Sequence, residues 1–486
     1  MSDIYFMLLR MDLISLIENL PIDLLYIVTN YDPAVICNSG GKYDWFKLIR
    51  MNFSLMYDRE LCTNEEVRRV YLDYCDKSRK SIFAGVNHAI IRLGDGTLMG
   101  CGYNEDGRLG LGGSRNQFLK LDGVPGDIIE VICEGSVIIL RLGDGTLMGC
   151  GFNEYGQLGL GDCRRVKQFL KIDGIPKNIV EVICSEATII IRLTDGTLMG
   201  CGNNSLGQLG LGDRGSRNEF IKISGIPKNI VRVMCYASCT VIKLTDGTLM
   251  GCGYNSHGQL GLGDCQEKRV FREIVGIPKN VAQVILGISH IFIFLTDGTL
   301  LSCGDNRFGQ LGLGDNSARY SFQEIRGIGK NIAEVICKTL LTIIRLTDGT
   351  LMGCGYNYFG ELGLGDNMHR NIFTEIRGIP KNVSKVVCSQ YWTDIILTDG
   401  TLMSCGLNDY GQLGFGDSRS KYSFTEITGV PKNIIDVISG PDYRIVRLKD
   451  GTLMSCGGNR NGQLGLGDSV DRILFEEIKG IPKLKS

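Results

Sequence analysis

The chain has 486 residues, 52 Lys and Arg against 53 Asp and Glu, and a formal net charge of −1. That balance excludes nucleic-acid binding through bulk charge, and no apolar run reaches the roughly 18 residues of a membrane span. The 66 glycines recur at fixed turn positions and argue for order, while 19 cysteines with no paired framework predict a reducing compartment, cytoplasm or nucleus.

Residues 1–80 lie outside any repeat and read as helical. The apolar start, IYFMLLRMDLISLIENL, is interrupted by Arg10, Asp12 and Glu18, and no small-residue cleavage site follows, so it is not a secretory signal. A short helix opening at Asp12 or Ser15 carries Leu13, Leu16, Ile17 and Leu20. Pro21 suits the first turn of a segment from Ile22 to Thr29 that Asp32-Pro33 stops. Lys42 to Met56 is a second amphipathic helix. Thr63 and Glu66 form a capping box for another, which presents Val67, Val70, Tyr71 and Tyr74 on one face.

From residue 81 to 486 one unit returns eight times. Its DGTL element begins at Asp95, Asp144, Asp195, Asp246, Asp297, Asp348, Asp399 and Asp450, with one step of 49 residues and six of 51. Such a period signals a repeat architecture. In the third unit, EVIC and TIIIRL are β-branched runs, and DG between TIIIRL and TLMGCG marks a hairpin. Asp195 and Gly196, Asp246 and Gly247, Asp297 and Gly298 are turn residues, the aspartate bonding local backbone and the glycine taking positive φ. NNSLGQLGLGD follows as a compact loop, then a strand, EFIKI, then a connector in which Pro227 ends the sheet. Four short strands per unit make an all-β propeller of eight four-stranded blades, with seven blades plus an accessory unit as the alternative. The last unit stops where a further inner strand would begin, so the C-terminal end is expected to meet the first unit and leave no open sheet edge.

The copies differ after GLGD, where each carries a cation: Arg115, Arg165, Arg217, Arg269, Arg319, Arg370, Arg419 and Arg472. Equivalent blades would place these arginines in a ring on one face, selecting an acidic protein partner. The alternative is a solvated face balanced by Glu273, Glu324, Glu375, Glu426 and Glu477. Lys177, Lys228, Lys279, Lys381 and Lys432 form a second row. Units one and two are the least regular: Gly94 and Gly143 replace a threonine, and Gly113 replaces an aspartate.

Reaction chemistry is missing from the pattern. His88, His257, His290 and His369 show no metal-ligand spacing, no Cys/His pair is placed for nucleophilic attack, and the GLGLGD loops lack a G-K-[ST] ending. The expectation is no enzyme, no cofactor and no metal.

The repeat resembles that of the regulator of chromosome condensation family in its DG hairpin, G-x-N and G-Q-L-G-x-G. These are Asp246-Gly247, Gly253-x-Asn255 and Gly258-Gln259-Leu260-Gly261-Leu262-Gly263 in the fourth unit. The resemblance spans 81–486 and implies a propeller, usually seven-bladed. Its best-known activity is guanine-nucleotide exchange on a small GTPase through a wedge inserted in one blade. The even spacing here leaves no room for that wedge, and the prototype's basic N-terminal tail is missing. The tryptophan that often precedes G-x-N is Cys101, Cys150, Cys201, Cys252, Cys303, Cys354, Cys405 and Cys456. Light-sensing members use tryptophans, and Trp45 and Trp392 alone argue against that activity.

Leu20-Pro21-x-Asp23-Leu24-Leu25, with Ile27 and Val28 after it and Trp45-Phe46-x-x-Ile49 further on, resembles an F-box core. In that family such residues dock on the linker subunit of cullin-type ubiquitin ligases; a helical cap on the ring is the alternative. Joined to near-identical repeats, this start also resembles large-DNA-virus proteins. The combined expectation is a non-enzymatic protein-protein interaction module, a substrate-recognition adaptor for such a ligase. The alternatives are a guanine-nucleotide exchange factor and a structural component of a larger assembly.

Overall fold

The computed structural model describes residues 44–53, 67–68, 71, 80–185 and 187–484. In the third unit the strands are Ile179–Ser185, Thr188–Leu193, Leu198–Gly202 and Arg217–Ile223, paired antiparallel in chain order. TIIIRL is buried along its whole length, because a middle strand is covered by a neighbouring blade on each face. The outer strand buries only Phe220 and Ile223 fully, because it lies at the rim.

Eight such sheets repeat, blade one over 82–120 and blade eight over 434–477. The first strands of successive blades lie against one another, and Ile82–Gly85 contacts Ile434–Ser439, so the sheets close into a ring. The eight-bladed alternative is the one adopted.

Closure bears out one half of the expectation and corrects the other: Leu484 near the C-terminal end does pack with blade one, but the sheet edges stay open. No strand is exchanged, because eight complete units leave none to lend, and every sheet keeps its own inner and outer edge. The ring shuts face to face. Ile82, Ala89, Ile91 and Phe118 of blade one pack with Tyr443, Ile445, Leu464 and Leu484. The Tyr443 hydroxyl donates to the His88 carbonyl at 2.5 Å, and Leu484 N–H donates to the Gly451 carbonyl at 3.1 Å.

The DG hairpin is a three-residue loop. Leu193 N–H donates to the Thr197 carbonyl and Gly196 N–H to the Leu193 carbonyl, with Gly196 at φ +79°. Asp195 Oδ1 accepts from Thr197 N–H at 3.0 Å. Asp246 and Asp297 repeat that bond, and Gly247 and Gly298 both sit at φ +84°.

The cysteine row holds the blades to each other. Each thiol donates to the carbonyl of a residue in the preceding blade's long loop at 3.1–3.5 Å; Cys201 reaches Gln157, and Cys101 closes the circle on Gln463. Beside it, the Phe220 ring rests on Gly159 of the preceding loop, where a side chain would collide with the ring. Burial pushes these thiols up, Cys456 to about 12 and others further. Among the described cysteines only Cys163 and Cys265 are exposed. Native alkylation at pH 8, read by peptide mass mapping, should therefore label those two and spare the repeat row.

Before the ring, one helix, Trp45–Phe53, falls inside the expected amphipathic segment. Trp45, Leu48 and Ile49 are buried, and the Trp45 ring lies 5.4 Å from that of Tyr71. The helices expected over 12–29, the capping box at Thr63 and Glu66, and Val70 and Tyr74 lie outside the described residues, as do Leu20, Pro21, Asp23, Leu24, Leu25 and Ile27.

Candidate interaction face

Sequential antiparallel strands alternate their connections between two faces. The turns after the first strands and the long loops after the third emerge on one side, called here the loop face. The DG hairpins and the proline connectors emerge on the other.

A buried asparagine builds each long loop. In blade four Asn255 Nδ2 donates to the Asp264 carbonyl at 3.0 Å, and its Oδ1 accepts from Leu260 N–H at 2.9 Å. An amide is needed because one side chain must donate and accept at once. The loop's last glycine then donates its N–H to the outer strand of the next blade at 2.7–2.8 Å, from Gly161 to Asn218 and onward to Gly467 and Asn116. That bond is made at seven seams. Between blades one and two it is missing among the described residues, at the irregular Gly112-Gly113. A cleft of about 1060 Å³ opens there, lined by Gly112, Arg164, Lys167 and Leu170 among others. Arg165 crosses this seam to Asp106 at 2.7 Å.

The eight arginines do not all occupy one position. Arg115, Arg217, Arg319, Arg370 and Arg472 open the outer strand opposite the glycine that ends the third strand. In blades four and seven Lys268 and Lys421 stand there, and in blade two Val166, so Arg269, Arg419 and Arg165 are out of register. Nor are the strand-end glutamates their counterions, because a six-residue strand separates Arg319 from Glu324. The shared counterions are the GLGD aspartates: Arg217 with Asp213, Arg319 with Asp315, Arg370 with Asp366 and Arg472 with Asp468, each at 2.6 Å, and Arg472 pairs with Glu476 at 2.8 Å as well. Arg115, lacking that aspartate, donates instead to the Gly112 carbonyl at 2.7 Å.

On the opposite face Lys177, Lys228, Lys279 and Lys381 pair with the hairpin aspartates 33 residues before them, whereas Lys432 pairs with Glu426. The Lys381 ammonium and the Thr350 N–H hold the Asp348 carboxyl down at about 2.

The structure brings together groups that spacing could not. Cys133 donates to His88 Nε2 at 3.2 Å, and Cys337 lies 2.9 Å from His290 Nε2, so Cys/His pairs do exist. Burial pushes both imidazoles down to about 4 and both thiols up to about 12. The pairs are neutral at physiological pH and supply no thiolate. Among the described residues no group of three or more His, Cys, Asp or Glu is placed to hold a metal.

Glu361 stands where most blades carry glutamine. Its Oε2 accepts from Phe359 N–H at 2.8 Å, its Oε1 is buried without a hydrogen-bond donor, and burial pushes its carboxyl up to about 7. A carboxyl raised in the folded state supports folding fully below its ordinary 4.5, and that support is lost as pH rises towards 7. Glu361→Gln should therefore stabilise the chain by about 1–3 kcal/mol at pH 8 and by almost nothing at pH 4, read from urea midpoints at both values. Comparing the eight copies with one another, GELG against GQLG, is the signal that would have singled it out.

The family model described as RCC1-like domain matches residues 221–486, and the Regulator of chromosome condensation (RCC1) repeat matches 80–108. The chain is 30% identical over 306 residues to the ultraviolet-B receptor UVR8 of Arabidopsis thaliana, covering 61% of this chain and 69% of that protein. It is 30% identical over 291 residues to the X-linked retinitis pigmentosa GTPase regulator of Mus musculus, covering 58% of this chain but only 29% of that protein. The crystal structure of Prp20p from Saccharomyces cerevisiae, reported with its binding properties to Gsp1p and histones, shares the fold. Its TM-score is 0.54 at 18% identity, over 68% of this chain and 85% of that one. With a family model matching more than half of its length, on a ring of eight four-stranded blades, the chain belongs to the RCC1-like family of β-propellers.

Proposed function

We propose that the ring is a non-enzymatic platform that binds a protein partner on its loop face. One observation carries this reading: the blades repeat one another in strands, hairpins and seam contacts, and differ chiefly in the loops of that face. Shared residues are consumed in holding blades together, which leaves the variable ones for recognition. The rim cations Arg115, Arg165, Arg217, Arg269, Arg319, Arg370, Arg419 and Arg472 would favour approach of an acidic partner surface, with part of their charge already held by the loop aspartates.

In the finer reading, Leu20, Pro21, Asp23, Leu24, Leu25 and Ile27 dock the linker subunit of a cullin-type ubiquitin ligase, making the ring a substrate adaptor. Its support is the F-box-like pattern. Affinity purification of the full chain should capture that linker subunit together with a ring-bound partner, and Leu24→Asp with Leu25→Asp should lose the first and keep the second. Retention of the ligase subunit by the double variant, or its absence from the wild-type sample, ends the adaptor reading. A partner lost by loop-face variants alone supports the platform.

Nucleotide exchange is the second reading. It is favoured by the mouse relative, a GTPase regulator by name, and by the yeast protein, whose structure is reported with its binding to Gsp1p. The steps, one of 49 residues and six of 51, offer no wedge, and labelled nucleotide should leave a panel of small GTPases no faster in this protein's presence.

A further inference from the structure

One part of the loop face breaks the repeat by adding rings. Phe308 of blade five, Tyr356, Tyr358, Phe359 and His369 of blade six, and Tyr391 of blade seven form a connected set. Phe308 lies 5.1 Å from Tyr356, Tyr356 stacks on His369 at 4.9 Å, Tyr358 meets Phe359 at 5.0 Å, and Phe359 meets Tyr391 at 5.5 Å. Blade three carries Asn203, Ser205 and Leu206 at the positions of Tyr356, Tyr358 and Phe359, so the rings are not needed to build a blade. Tyr358 is 57% exposed.

Some other rings on this face hold a cation of the chain's own, whereas Tyr254 of blade four meets the His257 ring instead. Arg108 lies over Tyr103 at 4.6 Å, Arg165 over Phe152 at 5.7 Å and Arg460 over Tyr410 at 5.5 Å. Tyr356 occupies the same place after the third strand as Tyr103 and Phe152, yet among the described residues no Lys or Arg sits over any ring of this set.

The second observation is the buried carboxyl of Glu361, which is charged above about pH 7. In blades three and five the corresponding glutamine oxygen accepts the loop N–H, as Glu361 Oε2 does, and the other end of the side chain is an amide donor. The amide donors of Gln157, Gln259, Gln310 and Gln412 are likewise buried without a partner; blade six differs in sign, replacing that donor with a fully buried acceptor, Oε1. The bond from Phe359 N–H to Oε2 ties this carboxyl to the backbone of one of the rings, and burial, then the carboxylate charge, push the Tyr356 phenol up. Ring faces and a carboxylate in a low-dielectric interior attract the same kind of ligand.

We propose that this set is a docking point for a cationic side chain, lysine or arginine, which the protein partner presents beside the acidic surface that the rim cations would favour. The proposal rests on the platform reading and specifies one contact within it. An arginine or lysine laid over Tyr356 and Tyr358 would repeat between molecules the contact that Arg108 makes with Tyr103 within this one.

The test uses the full chain and four acetylated Gly/Ser decapeptides that differ only in a central Arg, Lys, Leu or Glu, with binding followed by saturation-transfer NMR. The Arg and Lys peptides should bind at least tenfold more tightly than the Leu and Glu peptides. Tyr358→Ser with Phe359→Leu, which copies blade three, should abolish that preference, and Glu361→Gln, which copies the other blades, should reduce it several-fold. Circular dichroism and urea midpoints report that both variants fold. Equal or tighter binding of the Leu peptide, tighter binding of the Glu peptide, no binding at all, or a preference that survives both variants overturns the proposal. If partner capture is then lost through other loop-face variants, the platform reading stands without this contact.

Discussion

Replacing Asp394 with isoleucine should destabilise the ring by about 3–5 kcal/mol, because it strands a buried guanidinium. Asp394 of blade seven and Arg444 of blade eight are fully buried, each on the second strand of its blade. They form an ion pair across the seam, and Ser404 completes it. Its hydroxyl donates to Asp394 at 2.5 Å and accepts from Arg444 at 2.9 Å. The rest of the network is poorly satisfied: Asp394 Oδ2 and Arg444 Nε and Nη2 have no hydrogen-bond partner. A pair of this kind adds little net stability, while half of it is costly. Register with the sister blades puts Ile190 at the Asp394 position and Thr393 at the Arg444 position. Combining Asp394→Ile with Arg444→Thr should thus recover most of the loss, to within about 1 kcal/mol of wild type. Chemical denaturation of the two singles and the double closes the cycle. A double variant as unstable as Asp394→Ile alone would mean that the seam needs the charges themselves.

Gly196→Ala should cost roughly 2–5 kcal/mol, combining the left-handed backbone penalty with a clash. Positive φ alone predicts only about 1–2 kcal/mol. The structure adds the connector of the next blade, which crosses the hairpin so closely that a Cβ on Gly196 would overlap the Lys228 carbonyl oxygen. Gly145, Gly247 and Gly349 meet Lys177, Lys279 and Lys381 in the same way. Gly225 is the control: its φ is +77° but nothing lies within 4 Å of the place its Cβ would take. Gly225→Ala should therefore cost only the backbone term, about 1–2 kcal/mol. Urea midpoints of the two variants separate the effects, and equal losses would show that the crossing connector yields without cost.

Within one unit most of the architecture is local, and locality made it legible. The β-branched run in TIIIRL, the DG turn, the glycine-rich loop and the proline connector each act within a few residues, so eight copies repeat one message and name a four-stranded blade. The spacing favours eight blades over seven plus an accessory unit, and the eight separate four-stranded sheets decide it. Positive φ at Gly196 and the Asp195 bond to Thr197 follow from residue type.

Contacts between blades could not be read that way, because they depend on how one sheet is rotated against the next. Cys201 bonding a carbonyl 44 residues earlier, the Phe220 ring on Gly159 and the His88–Cys133 pair join positions whose separation carries no periodic mark of its own. The same holds for the cations: one-residue offsets at the start of an outer strand decide whether Arg269 or Lys268 faces the loop aspartate. Sequence by itself determined what each blade is. Only the tertiary structure decided what the blades are to one another, because a seam is made by two surfaces and a repeat describes one.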